Sequence, residues 1–220
     1  MKFIRDNWYR LGLIVFIGLA FFMVFWGNAV FTDIQKILMA SLMALPVHQF
    51  EEYALPGGGP VVINRAFYGE QTLYRHYPGN WNSIMLVNLS AYIFYIGAVF
   101  WPEALWLGLA TMFFNLFQLL GHGLEMNIKL KTWYNPGLAT ALFLLTPISI
   151  YYIYFVCTND TLTGGDWLGG VGLLLLILVT TVILPVQCLK DKNSAYDIPQ
   201  WQLEQFEKVK RFSTLHQKHK

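Results

Sequence analysis

Charge is scarce in this 220-residue chain. Asp, Glu, Lys and Arg make up 13% of it, about half of what a soluble domain of that size carries. The net charge is +2, too little for the phosphate contacts that drive nucleic-acid binding, so no nucleic-acid partner is expected. Cysteine is scarce as well. Cys157 and Cys188 fall near opposite ends of one loop–helix unit, so a disulfide is not expected, and two thiols are too few for a thiolate metal site. Internal repeats and low-complexity segments are lacking. A small-residue cleavage site is lacking too: the first apolar run follows Lys2, Arg5 and Arg10 and ends in Phe25-Trp26. It is therefore expected to stay as a span and not to be removed as a signal peptide.

What the chain has in abundance is apolar surface: 55% of residues are hydrophobic and 17% aromatic. Several runs reach membrane-spanning length. The expected fold class is all-α, a polytopic membrane bundle of six transmembrane helices in one domain, residues 1–190. The spans are read at about 11–26, 31–50, 84–101, 104–124, 136–156 and 167–187. Pro46 is expected to kink the second. Residues 53–82 form a long polar connection, more a lid or re-entrant piece than a tether. Residues 191–220 read as a basic tail. Its stretch from Ile198 to Leu215 carries Trp201, Leu203, Phe206, Val209 and Phe212 among charges, the pattern of an amphipathic helix on a membrane surface.

Six spans put both termini on one side. Fourteen of the fifteen Lys and Arg residues then fall on that side, with Lys36 alone on the other. By the positive-inside rule both ends are cytoplasmic, in a multi-pass protein of the cell membrane.

The candidate chemistry gathers on that same side. The second span ends in His48-Gln49-Phe50-Glu51-Glu52-Tyr53, followed by Pro56 and Gly57-Gly58-Gly59. On a helix, Glu51 lies about 60° to one side of His48 and Glu52 about 40° to the other, so the three converge in front of it. The fourth span carries Asn115, Gln118, His122 and Glu125, which share an arc of about 80°. Such a polar stripe on an apolar helix faces the bundle interior. His122 and Glu125 repeat the spacing of His48 and Glu51.

Neutral imidazoles with carboxylates suit zinc, iron or manganese. The expected ligands are His48, Glu51, His122 and Glu125, for one or two divalent ions, zinc or iron. Glu52 is the expected catalytic base or a further ligand. Asn88, Asn115, Gln118, Tyr134 and Asn135 are expected to supply hydrogen bonds to the ligands or the substrate. The blander readings are that both histidines cap helix ends at the interface, that Asn115 and Gln118 tie helices together, and that Gly57–Gly59 is a turn. Tyr53, Trp81, Trp101, Trp106 and Trp133 read as interfacial belt residues. His216 and His219 are read as solvated, and His76 is left open.

His48-x-x-Glu51-Glu52 in an early membrane helix, a later His122, and Tyr134-Asn135-Pro136-Gly137 opening the next helix resemble the HXXEE family of small polytopic membrane proteins. The resemblance covers roughly spans two to five. It supports a site at His48, Glu51, Glu52 and His122 and implies no substrate.

The leading expectation is a metal-dependent membrane hydrolase acting on a lipid or another amphiphile, with a di-iron-like oxidoreductase as the alternative on the same ligands. A proton- or ion-coupled transporter is the rival of another class. A third is an assembly subunit that docks a partner through its tail. A homo-oligomer is compatible with any of them.

Overall fold

The computed structural model describes residues 2–159 and 162–215. Among them the chain is helical, with one isolated bridge between Thr132 and Thr214 and no strand. His216 and His219 lie outside the described residues.

Helix α1 (Lys2–Val30) is longer at both ends than its apolar run, because nothing in Lys2–Arg10 breaks a helix and Lys2 pairs with Asp6 one turn on. Thr32 then starts α2 (Asp33–Tyr53) with a reciprocal cap, its side chain taking the Gln35 amide while Gln35 reaches back. Pro46 sits inside α2. The turn after Tyr53 uses Gly57 and Gly58 at φ +78° and +98°, a region that L side chains avoid.

The connection to the next span is folded and not slack. A short helix α3 (Gly59–Val62) runs into a wide π turn at Ile63–Phe67. The loop beyond it is pinned by buried Asn64, which donates to the Tyr74 and Gly79 carbonyls at 2.8 and 2.7 Å and accepts from Gly79 N at 2.9 Å. Asn80 and Ser83 cap α4 (Trp81–Phe100). Next come α5 (Leu105–Leu130), α6 (Leu138–Asn159) and α7 (Gly164–Leu189), each interrupted by a π turn, at Gly121–Met126, Ala141–Leu145 and Leu178–Ile183. Helix α8 (Gln200–Ser213) closes the chain.

Helix α2 is central and packs on α1, α4 and α6, while α5 packs on α4, α6 and α7. The closest pair is α5 with α7, where a Cβ on Gly170 would stand 2.9 Å from that of Leu109. Buried Asn115 clasps four helices: it donates to Ser41 at 2.9 Å and Ser149 at 3.1 Å and accepts from Tyr95 at 2.6 Å. Around this core, Phe21, Phe25, Ile93, Phe143, Leu168 and Leu176 stand exposed, an apolar exterior that a protein surrounded by water would cover. Among the described residues five helices, α1, α4, α5, α6 and α7, are long and apolar enough to cross a membrane. Helix α2 has 21 residues, enough length, but its polar ends lower its hydropathy.

The basic segments meet at one end of the bundle. Arg65 pairs with Glu207 at 3.2 Å, Arg75 with Asp197 at 3.6 Å, and Arg5 lies over the Tyr196 ring. Lys36 pairs with Asp33 at the start of α2. The apolar face expected to lie on a membrane surface rests on protein instead. Gln202, Phe206, Val209 and Ser213 are the buried residues of α8. Gln202 accepts from Gly58 N and donates to the Tyr53 carbonyl at 2.9 Å. A Cβ on Gly58 would fall 2.8 Å from Phe206 N, so only glycine lets α8 approach this closely. Phe212 alone of the large apolar residues in α8 stays exposed.

Candidate metal centre

His48 and Glu52 lie one turn apart near the end of α2, and His122 lies in the π turn of α5. They are 1%, 6% and 2% exposed. His122 Nε2 stands 3.3 Å from Glu52 Oε1, and His48 Nε2 stands 3.8 Å from Glu52 Oε2. The imidazole rings are 5.3 Å apart at 87°. One ligand atom from each residue falls within 4.8 Å of the other two, a spacing that a single ion can bridge.

The protons on both rings are assigned by their partners. Asn135 Nδ2 donates to the His122 carbonyl and to Asn127 Oδ1, each at 2.7 Å. Its oxygen therefore faces His122 Nδ1, at 2.6 Å, and accepts from it. On the other ring, the Thr140 hydroxyl donates to Glu51 Oε2, so its oxygen accepts from His48 Nδ1 at 2.9 Å. Each imidazole thus spends its Nδ1–H on the outside and turns Nε2 inward, the arrangement that orients metal-binding histidines. His48 Nε2 has no hydrogen-bond partner although it is buried. Two imidazole nitrogens and a carboxylate facing one another in a dry site repel unless a proton or a metal cation lies between them.

Glu51, expected as a ligand, serves elsewhere. Its two oxygens take the Tyr134 hydroxyl at 2.8 Å, Ala139 N at 3.1 Å, Thr140 N at 2.7 Å and the Thr140 hydroxyl. It caps the start of α6, where free amides and the helix dipole favour an anion. Tyr134 is held above the ordinary phenol range, first by burial and then by the Glu51 charge, so it remains a donor. Glu125, also expected as a ligand, turns away and pairs with Lys129 at 2.7 Å. The stripe drawn at α-helical spacing fails beyond His122, because the π turn at Gly121–Met126 takes up an extra residue and rotates the side chains after it. Glu52, expected as base, is the carboxylate that meets the histidines.

Of the supporting residues, Tyr134 and Asn135 hold Glu51 and His122 as described. Asn115 is the helix clasp, two turns from His122, and does not reach the cluster. His76 is remote, between Asp197 at 2.8 Å and the Lys192 carbonyl at 3.0 Å. Asn88 donates to the Tyr53 hydroxyl at 2.8 Å. With Gln118 it lines a cavity of about 190 Å³ that also touches His48, Glu52 and His122.

Two contributors escaped the sequence reading. Thr140 bridges Glu51 and His48, and its only mark is a lone hydroxyl entering an apolar run. Gly137 has φ +105°, and a Cβ there would stand 2.5 Å from His122 Cε1, so glycine makes the seat for the ring.

Residues 39–152 match the profile of the family described as "Protein of unknown function with HXXEE motif". No curated protein and no solved structure matches the chain. The match covers a little over half of the 220 residues and contains His48, Glu51 and Glu52 in the order the motif requires, so the chain belongs to the HXXEE family.

Proposed function

We propose that this protein is a metal-dependent membrane hydrolase in which His48 Nε2, His122 Nε2 and one oxygen of Glu52 bind a divalent cation, zinc or iron. The observation that carries the reading is the orientation of the two imidazoles, each with its Nδ1–H committed and its Nε2 turned toward Glu52. Two histidines and one glutamate with an open position match the donor set of catalytic zinc sites. A cation there supplies Lewis acidity to a carbonyl and acidity to a water.

The chain's own residues do the rest. The second Glu52 oxygen takes the proton from water as its oxygen bonds to the acyl carbon. That proton then passes to the oxygen or nitrogen whose bond to the acyl carbon breaks. Thr140 and Asn135 keep the rings in register. The surroundings favour an amphiphilic substrate, since the cavity beside the cluster is mainly apolar.

The oxidoreductase reading on two ions loses support, because Glu51 and Glu125 are engaged elsewhere and leave one carboxylate at the cluster. The transporter reading loses support because the core beyond Asn115 closes on residues such as Leu38, Leu109 and Met112. We also read α2 as a sixth span: its polar residues are sheltered by α1, α4 and α6, so it has no need of an apolar exterior. Both termini are then cytoplasmic.

Elemental analysis of the purified full-length protein tests the site. About one equivalent of zinc or iron is expected, falling to near zero in His48→Ala and in Glu52→Gln while helix content by circular dichroism is kept. Wild-type protein that carries well under a tenth of an equivalent, and takes up none on titration, overturns the reading.

A further inference from the structure

The cavity beside the cluster has a direction. Four helices line it, and the residue of each that lies farthest from the basic end is Leu45 on α2, Ala91 on α4, Phe114 on α5 and Leu178 on α7. These form its floor. Phe114 precedes His122 by eight residues, about 12 Å along a helix. The cavity, about 190 Å³, extends along that length from the cluster to the floor. The floor is apolar throughout.

The upper end is polar but carries no positive side chain. At the level of the cluster the lining residues are Gln49, Tyr53, Asn88 and Gln118. The Tyr53 hydroxyl accepts from Asn88 and keeps its own proton for another acceptor. The Gln118 amide is engaged by no other described residue. Among the described residues no lysine or arginine lines the cavity. A phosphate head would thus find no lysine or arginine there and could pair only with the cation of the cluster, whose charge Glu52 already offsets in part. Amide and hydroxyl groups instead match a neutral head that offers a carbonyl oxygen.

We propose that this slot binds an amphiphile with an uncharged, carbonyl-bearing head, a fatty ester or fatty amide, with the head at the cluster and a chain end on Leu45, Ala91, Phe114 and Leu178. The choice of a hydrolysable carbonyl rests on the function proposed above; the seat of the chain stands without it.

The test is photolabelling of the full-length protein in lipid nanodiscs, using a medium-chain primary amide with a diazirine at the chain end. Adducts are mapped by mass spectrometry, and zinc is measured on the same samples. Adducts on the floor residues are expected, at least tenfold fewer in Ala91→Phe, with labelling at the lipid-facing Phe143 and Leu168 unchanged. Unlabelled amide competes, and an alkyl phosphate of equal chain length competes at least tenfold less well. Adducts confined to lipid-facing residues, in protein that is folded by circular dichroism, overturn the proposal, whatever Ala91→Phe does. Equal competition by the alkyl phosphate overturns the uncharged head. Floor adducts in protein that binds no zinc retain the slot and overturn the cation site. Zinc without floor adducts retains the cation and overturns the slot.

Discussion

At the scale of single residues, the two adjacent glutamates of the motif have opposite duties, and their neighbours decide which has which. Glu51 meets four donors at the start of α6, whereas Glu52 meets two imidazoles and no backbone amide. Glu51→Gln therefore turns an amide NH2 toward groups that are themselves donors. Loss of a buried hydrogen bond to a charged group costs about 2 kcal/mol, so this variant is expected to unfold at lower temperature while still holding one metal equivalent. Glu52→Gln is expected to do the reverse, losing the metal with little change in the thermal transition of the metal-free protein. Calorimetry and elemental analysis on the same pair of variants decide it; a Glu51→Gln protein that binds no metal would return Glu51 to the ligand set. Thr140→Val removes the acceptor for His48 Nδ1–H and one donor to Glu51. Losing such a supporting bond weakens metal affinity by about 10–100-fold, which a competition titration against a chromogenic chelator reads directly. Gly137→Ala pushes a methyl group into the His122 ring and is expected to weaken affinity as well.

At the scale of elements, regular spacing takes the sequence reading as far as the helices stay regular. Both glutamates lie close to His48 on a helical wheel, so His48-x-x-Glu51-Glu52 is legible as a site, but the donors that claim Glu51 belong to a segment some 90 residues later. His122 is legible as a partner because its span is otherwise apolar. Glu125 is misread because the π turn at Gly121–Met126 leaves no mark in composition and shifts the register just there. The same blindness to long-range contacts makes α8 look like a membrane-surface helix, whereas its apolar face covers the Tyr53–Gly59 turn. Gln202, fully buried, satisfies both Gly58 N–H and the Tyr53 carbonyl, directly after Glu52 in the chain. Gln202→Ala strands two buried backbone groups at about 1–3 kcal/mol each. A lower unfolding temperature and faster proteolysis of the Tyr68–Asn80 loop are expected. Unchanged proteolysis would mean that α8 rests on the bundle without bracing it.

At the scale of the whole molecule, the charge asymmetry legible in the sequence also brings its parts together. The amino end, the loop before α4, the end of α5 and the tail all carry Lys or Arg, and they meet at one end of the bundle: the first two contact the tail, and Lys129 of α5 reaches the Phe67 carbonyl at 3.4 Å. If that end is cytoplasmic, the His48–Glu52–His122 cluster sits within the inner half of the membrane, and the cation proposed for it comes from the cell interior. Whether α2 crosses decides the count: with six crossings the two termini share a side, and with five they do not. The chain carries its own reporters. Cys157 and Cys188 are free and exposed; Cys157 lies near the end of α6 away from the basic segments, and Cys188 lies at the basic end of α7. An impermeant maleimide added to intact cells is expected to label Cys157 and to reach Cys188 only after permeabilisation, with Cys157→Ser and Cys188→Ser assigning each signal. Epitope tags on the two termini should both stay hidden until the membrane is opened. Tags on opposite sides would place α2 within one leaflet. The histidines would then lie at the membrane surface, where water competes for every ligand and the case for a buried cation weakens with the topology.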